Sequence, residues 1–137
     1  MPLTEKIPSR PGLDKNILII DEDPRSASII KDILELHGFL NVTTSGDTLQ
    51  VYKEVLDMPA PPDLLICSHE TSRIGGTHLI EALSLYFPEL RAIITTINAR
   101  TKADVGLRFP VLLKGDSGFF RDLLARTFEC LERCILM

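Results

Sequence analysis

Four consecutive apolar residues, Leu64-Leu65-Ile66-Cys67, stand between a proline-rich turn (Pro59, Pro61, Pro62) and a loop that closes on Gly75 and Gly76. An apolar run with no polar alternation suits a strand buried on both faces, as in a parallel sheet covered by helices. A strand of that kind needs helices above and below it, so the remainder of the chain must supply alternating strands and helices. Ser68 follows at the strand's carboxyl end, where an open α/β sheet places its ligand crevice.

The chain does supply them. Asn16-Ile17-Leu18-Ile19-Ile20 reads as a buried first strand and runs directly into Asp21-Glu22-Asp23. Pro24 suits the first turn of a helix, where its missing N–H costs nothing. Ile29, Ile30, Ile33, Leu34 and Leu36 carry that helix to a stop at His37-Gly38. A second strand is expected over Phe39 to Thr43. A second helix, opened by Ser45-Gly46-Asp47, presents Leu49, Tyr52, Val55 and Leu56 on one face. A third helix is predicted from about Thr77 to Tyr86, a fourth strand over Ala92 to Thr96, and a short helix from about Asn98 to Leu107. A fifth strand, Phe109 to Leu113, ends at Lys114-Gly115. A last helix, capped by Asp116 or Ser117, carries Phe120, Leu123, Leu124, Phe128, Leu131 and Ile135. Five alternations predict an α/β fold with a doubly wound, five-stranded parallel sheet in three α/β/α layers, of the flavodoxin-like kind. Residues 1–14 mix Pro, Ser, Gly and charge without periodicity and are expected to be a flexible tail, with one domain over 15–137.

Composition narrows the functional classes. The 137 residues carry 45% hydrophobic and 25% charged side chains, ordinary for a single globular domain. A net charge of −4 and no Lys/Arg cluster argue against a nucleic-acid surface. No apolar run approaches the roughly 20 residues that cross a bilayer, so no membrane role is expected. Three cysteines without metal-ligand spacing favour a reducing cytoplasm over a disulfide framework.

Polar residues converge on one edge of the expected sheet. Asp21 and Glu22 end the first strand, Ser68 the third, Thr96 the fourth, and Lys114 follows the fifth. Singly each is weak, since an acidic pair at a strand end is as often a turn and helix cap as a metal site. Together they form the usual layout of a site at a topological switch point.

With these residues in place, the chain resembles the receiver domain of two-component response regulators over roughly Lys15 to Cys134. The matching segments are ILIIDEDP with its acidic pair, the PDLL strand with Gly76, the Thr of IITT and the Lys of LLKG. The resemblance implies that Asp21 and Glu22 would bind Mg²⁺ together with a phosphoacceptor carboxylate and the backbone carbonyl of Glu70. It implies that Lys114 would pair with phosphoryl oxygens and that Thr96 would hydrogen-bond one of them to switch the neighbouring face. Magnesium takes hard oxygen ligands and keeps several waters, which suits such a set.

The acceptor position departs from that pattern. Counting back from Gly76 places Ser68 where the family has aspartate. A serine hydroxyl is a poor nucleophile unless an adjacent base removes its proton. His69 is next in sequence, but successive strand residues point to opposite faces. Loss of the carboxylate also takes one negative ligand from the Mg²⁺ site and frees Lys114 to neutralise the remaining acids. Three further positions differ: Ile97 follows the Thr where the family has a small residue, Val111 stands at the aromatic switch position, and Gly115 replaces the Pro after the Lys. The expectation is a pseudo-receiver: a non-enzymatic signalling module of the two-component phosphorelay type that works by phosphorylation-independent protein–protein interaction. No catalytic residue and no cofactor are assigned to it, any Mg²⁺ being bound weakly. The rival is an active single-domain response regulator phosphorylated at Ser68 or Glu70 with Mg²⁺. A nucleotide-binding protein of flavodoxin-like type is disfavoured because no Gly-rich turn follows the first strand.

Among the remaining residues, Cys67, Cys130 and Cys134 read as structural thiols, and His37 and His78 lack partners at metal-ligand spacing. On the last helix Phe120, Leu124, Thr127, Leu131 and Cys134 recur at four-three spacing, and the apolar pattern runs on to Ile135-Leu136-Met137. Its width predicts a contact with another chain, including a homodimer through this helix. In the family, the face built from the fourth helix, fifth strand and last helix is the usual pairing surface.

Overall fold

The computed structural model describes residues 12–100 and 109–136. Five strands, β1 (Asn16–Ile20), β2 (Asn41–Ser45), β3 (Leu64–Ser68), β4 (Ala92–Thr96) and β5 (Val111–Leu113), form one parallel sheet in the order β2-β1-β3-β4-β5. The helices are α1 (Pro24–Leu36), α2 (Thr48–Leu56), α3 (Gly76–Tyr86) and α4 (Phe119–Leu136). Every residue of β3 and β4 is buried, as the unbroken apolar runs require. Alternate strand residues feed two cores. Ile17, Ile19, Leu64, Ile66 and Ile93 meet Ile30 and Leu34 of α1 and Leu123 and Leu131 of α4. Ile20, Leu65 and Cys67 meet Val51 and Val55 of α2 and Leu79, Ile80 and Leu83 of α3. The three-layer, five-stranded α/β architecture expected from the sequence is the one observed.

Local boundaries differ where a tertiary contact overrides the apolar pattern. The second strand lies two residues later than expected. Phe39 is drawn into the core against Phe128 of α4, with ring centroids 5.0 Å apart, so the ladder starts at Asn41. As an edge strand, β2 accepts Asn41, Thr43 and Thr44, which are exposed. The fifth strand begins at Val111 because Pro110 has no N–H to donate, although its carbonyl still accepts from Ile94 N at 2.9 Å. Helix α1 stops as predicted, with Gly38 at φ +99°. Gly12 to Asp14, assigned above to the tail, dock on the domain: Leu13 packs on the core and its carbonyl accepts from Leu40 N at 3.0 Å. Most of the helix expected from about Asn98 to Leu107, and the remainder of the tail, lie outside the described residues.

The stripe proposed on the last helix is divided by the fold. Thr127 and Leu131 are fully buried within the chain's own core and Leu124 packs against it partly buried, whereas Phe120 is 42% exposed. Over the described part of α4 the four-three spacing follows the face packed on the sheet. Side chains beyond Glu132 lie outside the described residues, so the apolar end Ile135-Leu136-Met137 adds no structural argument for a dimer.

Candidate functional site at the carboxyl edge of the sheet

The chain reverses direction across the sheet between β1 and β3, and the crevice opens at their carboxyl ends. Asp21 follows β1 and is held by two contacts. Its Oδ1 accepts from Asp23 N at 2.9 Å, and its Oδ2 is 2.8 Å from Lys114 Nζ. Asp23 in turn caps α1, accepting from Arg25 N at 3.0 Å. The Asp21 side chain is 4% exposed and that of Lys114 18%, so the pair is largely withdrawn from water. Lys114 Nζ also donates to Ser68 Oγ at 3.4 Å. The expected neutralisation of an acid by Lys114 is thus a direct ion pair on Asp21.

Glu22 turns away from this pair. Its Oε2 accepts from Ser72 N at 2.7 Å and from Ser72 Oγ at 2.5 Å. The Ser72 hydroxyl, and after it the Ser72 amide, hold the Glu22 carboxyl below its ordinary pKa against opposing burial and the charges of Asp21 and Asp47. A carboxylate with a depressed pKa adds stability that is complete above its unfolded-state pKa and is lost as pH falls through the folded one. Replacing Ser72 by Ala is expected to move the Glu22 titration upward, part of the way back, because the backbone N–H stays. Carbon-13 NMR of the side-chain carboxyl reads this, and an unchanged midpoint would remove Ser72 as the cause.

The resemblance gives Glu70 a backbone role in the loop beyond the strand. The structure instead brings its side chain onto the end of β4. Thr96 Oγ1 donates to Glu70 Oε2, and Ile97 N donates to Oε1 at 3.2 Å. Thr96 Oγ1 itself accepts from Asn98 N at 3.1 Å. His69 is engaged elsewhere, its Nδ1 2.7 Å from Thr77 Oγ1, and among the described residues no base is hydrogen-bonded to Ser68 Oγ. Cys67, the neighbouring sulfur, is buried, and burial pushes its thiol up to about 12, with the nearby Asp21 charge adding to the effect.

Ser68 is buried, and α3 closes tightly over it. A Cβ built on Gly76 would lie 1.9 Å from Ser68 O and 2.9 Å from Cys67 Sγ. Ile97 is 70% exposed, Val111 is buried in β5, and Gly115 is exposed with nothing within 4 Å of a built Cβ. Sequence reasoning missed Ser72, the Ile97 amide and the carboxylate role of Glu70, since no local pattern signals which loop group crosses to another strand.

These donors do not fit Mg²⁺. A hard dication needs several free oxygens, whereas Asp21 is committed to an ammonium, Glu22 to Ser72 and Glu70 to Thr96, and Ser68 offers a neutral hydroxyl. Among the described residues no three of His, Cys, Asp and Glu are grouped to hold a metal ion. Nor, among those residues, is any helix long and apolar enough to cross a membrane.

No family model and no curated protein matches the sequence. Solved structures do match the fold. The receiver domain of the Francisella response regulator 1452 superposes with a TM-score of 0.74 at 18% identity, over 88% of this chain and 99% of that one. A CheY-like receiver domain protein from Methanospirillum hungatei JF-1 gives 0.71 at 23% identity, over 88% and 95%. The Thermotoga maritima response regulator TrrA, solved in complex with Mg²⁺ and BeF, gives 0.70 at 17% identity, over 83% and 98%. The likeness extends over nearly the whole of each of these domains, and the fold of this chain is therefore that of a response regulator receiver domain.

Proposed function

We propose that this chain is a receiver-type signalling module that acts by binding a protein partner and carries no phosphoryl group. One observation supports this above the others: the residue at the crevice floor is a buried serine whose hydroxyl, among the described residues, is hydrogen-bonded only by the ammonium that already pairs with Asp21. A cation does not deprotonate an alcohol, and the nearest imidazole is turned to Thr77. Of the residues that would assemble a phosphoryl-transfer site, Asp21 and Ser68 meet Lys114, while Glu22 and Thr96 are engaged by Ser72 and Glu70 of the β3–α3 loop. Exposed apolar side chains near the same edge, Ile97 after β4 and Phe120 in the first turn of α4, are surface that a protein partner would cover.

The test is incubation with acetyl phosphate and Mg²⁺ followed by intact-mass measurement. The expected result is an unmodified protein under conditions that stoichiometrically label an aspartate-bearing receiver run in parallel. A phosphoryl adduct mapped to Ser68 or Glu70 would overturn the proposal and establish the rival reading.

A further inference from the structure

The sheet has two lateral edges, and they differ in how they are guarded against a further strand. β5 is three residues long and is bounded by Pro110 and Lys114, each a feature that blunts an edge. β2 is five residues long and pairs residue for residue with β1, without a bulge. From Phe39 to Gly46 the chain carries no charged side chain and no proline. Ser45 O accepts from Asp21 N, so the backbone groups of Asn41, Thr43 and Ser45 serve the ladder to β1. Backbone groups alternate in direction along a strand, which turns the N–H and C=O of Val42 and Thr44 outward. Among the described residues neither finds a hydrogen-bond partner there. The ground beside this edge is also open. A groove of about 690 Å³ is lined by Leu18 of β1, Thr43 of β2, Gln50 of α2, and Leu40, Met58 and Pro61. Of these, Leu40, Thr43 and Met58 are exposed.

We infer that the outer edge of β2 is an interface for a second copy of this chain, the two β2 strands pairing antiparallel about a two-fold axis at Thr43. In that register Val42 of each copy lies opposite Thr44 of the other, and each such pair exchanges both of its backbone bonds. Thr43 meets its own counterpart at the axis, a cross-strand Thr pair of the favourable kind. Charge selects the occupant. A two-fold pair sets residues against their own kind or near neighbours, where like charges would repel. The strand has no charge to repel, and equally none by which an acidic or basic peptide would be recognised along it. Two-fold closure uses the β2 edge of both copies and leaves only the guarded β5 edges, so assembly stops at a dimer. Strands this short bury less than a standard interface, which places the expected Kd in the micromolar range. The edge lies to the side of the crevice, so the inference goes beyond the functional proposal and does not depend on it.

The experiment is sedimentation velocity of the full chain under reducing conditions, over roughly a hundredfold range of concentration through the micromolar region. The wild type is expected to pass from the mass of one chain to that of two. Thr44→Pro removes an outward N–H that the β1 ladder does not use, as an edge strand tolerates, and is expected to stay monomeric throughout. Thermal unfolding is checked first. Thr43→Lys is the second variant: its side chain is exposed, so the fold is kept, while two ammonium groups meet at the axis and abolish the dimer. A wild type that remains one chain at every concentration would overturn the inference. So would a dimer that survives in a folded Thr44→Pro or Thr43→Lys variant, because it would use another face, such as that of α4.

Discussion

Lys114→Met is expected to destabilise the protein by about 3–5 kcal/mol, the typical cost of stripping one partner from a buried ion pair. Asp21 is the side chain left behind. It is 4% exposed, and its Oδ2 would lose the ammonium 2.8 Å away while no other donor to that oxygen is described. The penalty comes from the abandoned charge more than from the lost attraction, so it is expected to be relieved by removing the charge as well. Lys114→Met combined with Asp21→Asn should therefore be several kcal/mol more stable than the sum of the two single changes predicts, a coupling that neighbours in one network show and distant sites do not. Urea unfolding of the four proteins of the cycle measures it. Additive single effects would mean that Asp21 and Lys114 do not depend on each other in the folded state.

Gly76→Ala is the second change with a large expected effect, of about 3 kcal/mol or more at the upper end of overpacking costs. The added methyl would sit 1.9 Å from the Ser68 carbonyl oxygen and 2.7 Å from its carbon. Both are backbone atoms of the central strand, so neither can swing aside as a side-chain tip would. Relief requires moving the start of α3 off the end of β3. That would also disturb the Gly76 N to His69 O bond of 3.2 Å and the buried contacts of Leu79 and Ile80. Gly115→Ala is the matched control, with nothing within 4 Å of the new methyl, and is expected to change stability by no more than about 0.5 kcal/mol. Thermal unfolding of the two variants side by side decides the matter. Equal midpoints would show that the approach of α3 to Ser68 is not constrained.

Both experiments concern the place where a phosphoryl-transfer crevice would be. The Asp21–Lys114 pair balances charge at the end of β1, and Gly76 lets the start of α3 approach the backbone at the end of β3. In the present chain the acids that could hold a cation are each engaged by a donor from the same chain.

The order of elements, the parallel sheet and the strands of the core could be read directly from residue order. Leu64 to Cys67, Ile17 to Ile20 and Ala92 to Ile94 are apolar runs whose burial, complete but for the half-buried Leu18, follows from local pattern alone. The same is true of the helix ends at Pro24 and Gly38, where backbone chemistry is a property of the residue itself. The convergence of Asp21, Ser68, Thr96 and Lys114 followed from that topology, because a parallel sheet places every strand's carboxyl end on one edge. Tertiary structure alone decided which of these groups meet. Glu70 reaches Thr96 across 26 residues, Ser72 reaches Glu22 across 50, and Lys114 reaches Asp21 across 93. The same holds for Phe39, which leaves the strand its neighbours enter, and for Thr127, which is buried where spacing suggested an outward stripe. Hydrophobic periodicity is set by neighbours along the chain, whereas the partner of a polar side chain is set by rotamers and loop paths that the periodicity does not encode.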